Sequence, residues 1–167
     1  MLELGSGTAL PGLLCSKLGA KKVFLSDDMW QPNTIHNCNE AIKVNGLSDD
    51  KISALGLTWG EFSPSGLLRP ELQHQLDFVI GSDLFFDPKV FEPLIVTLAY
   101  LLRLHPECQV LITVQERSAD WSIEEHLLRW KLKCSYVYPS EFLSGTGVDE
   151  SDLIGGHTIF ILKVFPA

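Results

Sequence analysis

The sequence contains no apolar run long enough to cross a bilayer. The longest candidate, residues 93–104, includes Arg103 and is shorter than the ~20 residues that a membrane-spanning helix needs. Residues 1–5 carry neither a basic region nor a small-residue cleavage site, so they do not resemble a signal peptide. These absences predict a protein of the cytoplasm or the nucleus, without a membrane partner.

Paired cysteines and excess positive charge are also missing. The four cysteines, at positions 15, 38, 108 and 134, form no C-x-x-C and no pair at metal-ligand spacing. This pattern argues against structural zinc and against disulfides, and predicts free thiols in a reducing compartment. Thirteen Lys and Arg against 21 Asp and Glu give a net charge of −8. That charge opposes direct binding of nucleic acid and weakly favours basic partners.

Short apolar runs alternate with helical segments along the whole chain. This alternation predicts an α/β domain with a mainly parallel sheet covered by helices on both faces. Helices are expected at residues 11–19, 32–44, from Pro88 onward and within 118–132. No repeat or linker divides the chain, so residues 1–167 are predicted to form one domain. The predicted strands are residues 1–4, 23–26, 52–57, 76–81, 110–114, 134–137 and 158–165.

A glycine turn joins the first strand to the helix that opens at Pro11. Glycines at positions 5 and 7 allow a ligand to approach the backbone closely. The third glycine of a dinucleotide fingerprint is replaced by Leu10, and the Gly-Lys-Ser/Thr of a phosphate loop is absent. The turn therefore predicts a nucleoside ligand without pyrophosphate, the alternative being a plain strand–helix turn.

Two further residues follow neighbouring strands at the same predicted sheet edge. Asp27 comes 20 residues after Gly7 and is placed to accept hydrogen bonds from ribose hydroxyls. Asp28 could do the same or cap the next helix. Trp59 follows the third strand, where an indole can pack on an adenine face, although tryptophan is more often a core residue.

The segment after the fourth strand carries the candidate chemistry. Asp83 could hold a cationic amine or guanidinium by a charge-assisted hydrogen bond, and Phe85 and Phe86 could wall an apolar channel. The alternative is a helix cap followed by two core aromatics. Glu116 and Arg117, after the fifth strand, either face the substrate or form a surface ion pair.

These segments together resemble the class I methyltransferases that use S-adenosyl-L-methionine, and more narrowly family 16, whose members modify protein side chains. The resemblance covers nearly the whole chain. It rests on four matches: E-x-G-x-G at Glu3, Gly5 and Gly7, an acidic residue at Asp27, T-W-G at 58–60, and a small residue plus aspartate at Ser82 and Asp83. The N-P-P-Y or D-P-P-Y of amino-adenine methyltransferases has no counterpart here.

The resemblance implies a Rossmann-like fold, with seven strands in the order 3-2-1-4-5-7-6 and only the last strand antiparallel. It implies S-adenosyl-L-methionine as the cofactor, no metal, and a basic protein substrate such as a histone tail, in the nucleus and cytoplasm. Chaperones or transcription-related proteins are further expected partners. The predicted cofactor-binding residues are Glu3, Gly5, Ser6, Gly7, Asp27, Trp59 and Ser82, and the predicted catalytic residues are Asp83 and Phe86.

The sequence departs from the family pattern in two places. Lysine-directed members have D-x-x-Y after strand four, whereas Phe86 stands at the last position here. A member with phenylalanine there is associated with histone arginine methylation, which favours arginine over the alternative, lysine. Family members also carry a tryptophan-containing helical segment ahead of the first strand, which this sequence lacks. An exposed apolar patch is therefore expected, and a non-catalytic interaction module is the alternative to an enzyme.

Overall fold

A single seven-stranded sheet organises the computed structural model, which describes residues 1–118, 121–138, 140–148 and 159–167. The strand order is β3-β2-β1-β4-β5-β7-β6, as predicted. Only β7 runs antiparallel, pairing with both β5 and β6. The strands are β1 (Leu2–Leu4), β2 (Val23–Asp27), β3 (Ile52–Gly56), β4 (Phe78–Ser82), β5 (Gln109–Gln115), β6 (Leu132–Val137) and β7 (Ile159–Pro166). Thr158, the predicted start of the last strand, lies outside the described residues.

The described helices are α1 (Leu10–Lys17), α2 (Pro32–Val44), α3 (Phe91–Leu104), α4 (Glu124–Arg129) and α5 (Ser140–Leu143). The bounds of α2 match the prediction. The third helix starts later than predicted because Pro88–Val90 forms a 3-10 turn, in which the Asp87 carboxylate accepts from the Lys89 N–H at 3.0 Å. Within the predicted helix at 118–132, the described α-helical residues are only those of α4. The positive φ of Lys131 marks the turn into β6, and α5 was not predicted.

Helices cover both faces of the sheet, as expected. The pleat divides β2 between the two faces: Val23 and Leu25 pack with α1 and α2, whereas Phe24 packs against the larger cluster around α3. The predicted apolar stripe of α3 is buried in that larger cluster, at Phe91, Leu94, Ile95, Leu98, Leu101 and Leu102. In the described part of the chain, no helix is both long and apolar enough to cross a membrane.

Two further features of the structure bear on other sequence predictions. All four cysteines are free thiols. One side of α1 is exposed and apolar, with Leu10 at 69%, Leu14 at 52% and Leu18 at 77% exposure. The spacing of four residues places these leucines in one row along the helix, so an exposed apolar patch is present.

The parallel arrangement of β1 to β5 brings five chain segments to one edge of the sheet. The carboxyl ends of these strands meet there, and such an edge is where open α/β sheets bind ligands. The glycine turn follows β1, Asp27 ends β2, Trp59 follows β3, Asp83 follows β4 and Arg117 follows β5. The fold thus gathers the predicted site residues along a single edge.

Candidate active site

The glycine turn after β1 is shaped by backbone conformations that favour glycine. Gly5 has φ 58° and Gly7 has φ 49°, both in the left-handed region. A Cβ at Gly5 would lie 2.8 Å from Leu84 Cδ2 and 3.3 Å from Trp59 Cζ2, whereas one at Gly7 would meet nothing within 4 Å. The Ser6 N–H donates to the Ser26 carbonyl at 2.9 Å. The turn is therefore anchored to β2 and packed on one side, with open space at Gly7.

Asp27 lies directly beside this turn. Its Oδ2 accepts a hydrogen bond from the Gly7 N–H at 2.9 Å, and its Oδ1 accepts from the Asp28 N–H at 2.9 Å. Each carboxylate oxygen can accept more than one hydrogen bond, and the side chain is only half-buried. The structure therefore places the predicted ribose acceptor where a nucleoside at the turn can reach it, and its role in binding stays a prediction.

Asp28, the alternative ribose acceptor, joins two strand ends. Its Oδ1 accepts from the Thr58 hydroxyl at 2.5 Å and from the Trp30 N–H at 3.3 Å. These contacts tie the end of β2 to the segment after β3. The family pattern includes Thr58, but the sequence did not predict its contact with Asp28. Of the two carboxylates, Asp27 is the one that accepts from the glycine turn.

Trp59 packs against both the core and the glycine turn. The side chain is half-buried against the larger hydrophobic cluster, and its ring approaches Gly5 from the side that a Cβ would occupy. The Gly60 N–H donates to the Thr97 hydroxyl on α3 at 2.8 Å, which holds the segment in place. This location is compatible with both predicted roles of Trp59, as a core residue and as a cofactor contact, because the side chain borders the core and the glycine turn.

Glu3 is buried inside the fold, only 2% exposed. Its Oε2 accepts from the Gly12 N–H at 3.0 Å, and burial raises the pKa of its carboxyl to about 7. A Cβ on Gly12 would overlap the side chains of Glu3 and Leu25, so glycine permits close packing of α1 on the sheet. The contact seen for Glu3 fixes the position of α1, and direct binding of cofactor by Glu3 stays a prediction.

Asp83 occupies a conformation that is uncommon for a residue with a Cβ. Its φ is 55°, and such strained positions cluster at functional sites. Its N–H donates to the Thr113 carbonyl of β5 at 2.7 Å. Its Oδ2 accepts a hydrogen bond from Arg117 Nη2, whereas its Oδ1 is buried and has no hydrogen-bond partner among the described residues. The sequence left two alternatives for Arg117, facing the substrate or forming a surface ion pair, and did not identify Asp83 as its partner.

The other predicted residues after β4 differ in exposure. Ser82 ends the strand with an exposed side chain. Phe85 is only 4% exposed and meets Phe91 edge to face, with 5.4 Å between ring centroids. Phe86 is 50% exposed. Of the two phenylalanines expected to wall a channel, Phe85 lines the neighbouring cavity and Phe86 lies more openly at the surface.

This cavity of about 620 Å³ lies on the β5 side of Asp83. Its walls combine aromatic rings with the side chains of Glu116, Arg117 and Glu124. A volume of this order is typical of pockets that bind small ligands. Phe91 and Trp121 meet edge to face in its wall, as do Tyr136 and Phe160. The sequence could not reveal this cavity, because its walls come from segments far apart in the chain.

Comparison with known proteins agrees with this geometry. A family model described as lysine methyltransferase, of methyltransferase family 16, matches residues 1–128. The chain belongs to this family. Its members are S-adenosyl-L-methionine-dependent protein methyltransferases, so the cofactor and the enzyme class predicted from the sequence are confirmed.

Curated relatives differ in the acceptor that their names give. The histone-arginine methyltransferase METTL23 of Xenopus laevis is 40% identical over 98% of this chain and 68% of its own length. The protein of that name from Homo sapiens is 37% identical over 98% of this chain and 83% of its own. The protein-lysine N-methyltransferase EFM3 of Chaetomium thermophilum is 35% identical over 72% of this chain and 36% of its own.

Solved structures confirm the Rossmann-like fold at low sequence identity. The ribosomal protein L11 methylase of Lactobacillus delbrueckii aligns with a TM-score of 0.61 and 15% identity, over 99% of this chain and 68% of that one. A TehB-like SAM-dependent methyltransferase of Corynebacterium glutamicum aligns with a TM-score of 0.62 and 16% identity, over 99% and 78%.

The residues at the glycine turn fit S-adenosyl-L-methionine. Open space at Gly7 and the carboxylate of Asp27 beside it suit a ribose, and the absence of a phosphate-binding sequence suits a nucleoside without pyrophosphate. Gly5, Gly7, Asp27 and Trp59 would hold its nucleoside portion. Asp83 stands after the adjacent strand β4, on the side of the aromatic cavity.

Proposed function

We propose that this protein transfers methyl groups to arginine side chains of basic proteins such as histone tails. One observation carries the choice of arginine: the carboxylate of Asp83 already binds a guanidinium, that of Arg117. An arginine acceptor would offer the same guanidinium group to this carboxylate. The names of the frog and human relatives support the same acceptor.

Methyl transfer to a guanidinium requires little from the protein beyond alignment of the methyl donor with the acceptor. S-adenosyl-L-methionine, when bound, supplies a methyl group on a positively charged sulfur. Asp83 would hold the incoming guanidinium by charge-assisted hydrogen bonds and fix its orientation. Phe85 and Phe91 line the cavity that Arg117 also lines, and apolar walls of this kind would exclude water from a side chain bound there.

Charge and cavity composition support a basic substrate. The chain carries a net charge of −8, and Glu116 and Glu124 line the cavity next to Arg117. A cationic peptide is attracted by such a surface and can pack its side chains on the aromatic rings. A nuclear and cytoplasmic location and transcription-related or chaperone partners belong to the same proposal.

Paired peptides test the acceptor. The protein is incubated with S-adenosyl-L-methionine and a histone tail peptide containing one arginine, or the same peptide with lysine at that position, and added methyl is detected by mass spectrometry. Methyl on the arginine peptide supports the proposal. Methylation of the lysine peptide alone, in line with the fungal relative's name, would show that the acceptor is lysine and not arginine. Cofactor binding without transfer to either peptide would favour the non-catalytic interaction module.

A further inference from the structure

Arg117 links the carboxylate of Asp83 to the aromatic cavity, because it contacts the first and lines the second. The side chain of Arg117 lines the cavity and also donates to Asp83, whereas Asp83 itself is not among the described residues of the cavity wall. A substrate that enters through the cavity therefore meets the guanidinium of Arg117 before it meets Asp83. The arrangement places an arginine of the chain itself at the position proposed for the arginine of the substrate.

The contact between these two residues uses only part of the carboxylate. Oδ2 of Asp83 accepts from Arg117 Nη2, but Oδ1 is buried with no partner among the described residues. Guanidinium groups pair most strongly with carboxylates through two parallel hydrogen bonds, and a buried acceptor without a donor is unfavourable. A second guanidinium that reaches both oxygens would satisfy Asp83 better than Arg117 does.

The exposure of the pair allows such an exchange. The side chains of Arg117 and Asp83 are 38% and 36% exposed. Ion pairs with this much contact with solvent contribute little to stability. Displacing Arg117 from Asp83 therefore carries a small cost, and the fold remains intact when the contact opens.

We propose that Arg117 is a resident occupant of the acceptor position, which the guanidinium of the substrate displaces from Asp83. This inference rests on the proposed function. An internal competitor reduces the apparent affinity for every cationic acceptor by the fraction of time that it occupies the site. Its removal therefore lowers KM for arginine and lysine peptides by the same factor and leaves kcat unchanged.

The test compares Arg117→Gln with the wild type and with a matched control, Arg129→Gln. Arg129 pairs with Glu92 and Glu125 on the surface and is not among the cavity residues. KM and kcat are measured with the arginine peptide, and with the lysine peptide where it reacts. The Kd of the arginine peptide is measured by calorimetry in the presence of S-adenosylhomocysteine, which requires no turnover.

The expected result is a roughly two- to fivefold lower KM and Kd for Arg117→Gln, the scale of an exposed ion pair, with kcat unchanged and no effect of Arg129→Gln. A fall in kcat would make Arg117 a positioning residue and overturn the proposal, as would an unchanged or higher Kd. Absence of arginine methylation by the wild type would refute the proposed function alone. The Kd values still test the role of Arg117 in that case. Equal Kd values for the wild type and Arg117→Gln, or no peptide binding by either protein, would overturn the proposal.

Discussion

The N–H of Gly12 donates to the buried carboxylate of Glu3, and this contact joins the first turn of α1 to the central strand β1. Burial removes the Glu3 carboxyl from water and raises its pKa to about 7. A buried carboxyl group destabilises the folded state when it ionises, because its charge is poorly solvated there. A residue of the glycine-turn sequence therefore couples the stability of this region to pH.

Glu3→Gln should reduce the dependence of folding stability on pH. The folded protein binds more protons at Glu3 than the unfolded chain between pH 4.5 and about 7, so the contribution of Glu3 to unfolding free energy falls as pH rises through that window. Glutamine keeps an acceptor for Gly12 without the charge. Denaturant unfolding at pH 4.5 to 8 should show the variant gaining up to about 3 kcal/mol on the wild type with rising pH.

Glu107→Gln, at an exposed position, controls for the loss of one negative charge. A difference between Glu3→Gln and the wild type that stays constant across this pH range would show that burial of Glu3 does not control its ionisation.

Asp27→Asn should weaken binding of S-adenosyl-L-methionine by about 1–3 kcal/mol, the scale for losing a charged acceptor. Asparagine retains an acceptor oxygen for one of the two N–H groups, those of Gly7 and Asp28, that the Asp27 carboxylate binds, so the variant disturbs the turn less than alanine does. Calorimetric titration measures the affinity, with Asp28→Asn in parallel. If Asp27→Asn binds the cofactor with normal affinity and Asp28→Asn binds it more weakly, the ribose contact belongs to Asp28.

Trp59→Ala should lower cofactor affinity by roughly 1 kcal/mol through lost ring stacking, in addition to loosening the packing at Gly5. Thermal unfolding with and without cofactor separates the two effects. The expected result is a smaller rise in Tm on cofactor addition than the wild type shows. An equal rise in Tm, from a lower starting value, would assign Trp59 to the core only.

Phe86→Tyr should raise the ratio of lysine to arginine methylation, because it supplies the hydroxyl that lysine-directed relatives carry. Folding stability should change by less than about 0.5 kcal/mol, as is usual for surface changes. Phe62→Tyr is a matched control, since both phenylalanines are 50% exposed and Phe62 packs on Tyr100 instead of following β4. If both variants keep the wild-type ratio, Phe86 does not select the acceptor.

The sheet could be predicted because most strands have a clear apolar run, and its strand order followed from the family resemblance together with the limits on parallel crossovers. The bounds of α2 were equally accessible, with Pro32 at its start and Asn45 directly after its end. The helix predicted within residues 118–132 was too long, because its described α-helical part is only Glu124–Arg129.

The acceptor side was less predictable, because its contacts depend on side-chain directions. Strand order alone places the segments after β4 and β5 next to each other. It does not say that Arg117, rather than its neighbour Glu116, turns toward Asp83. The aromatic wall depends in the same way on Trp121, which meets Phe91, and on Phe160 of β7, which meets Tyr136 of β6.

Asp83→Asn tests most directly whether the carboxylate after β4 orients the methyl acceptor. The variant nearly preserves the shape of Asp83 and removes its charge, while Gly5, Gly7 and Asp27 at the cofactor turn are unchanged. Methyl transfer to the arginine peptide is followed by mass spectrometry, and cofactor binding by calorimetry on the same preparation. We expect a loss of at least about a hundredfold in kcat/KM, equal to about 3 kcal/mol, with cofactor affinity nearly unchanged. Wild-type turnover by folded Asp83→Asn would contradict it.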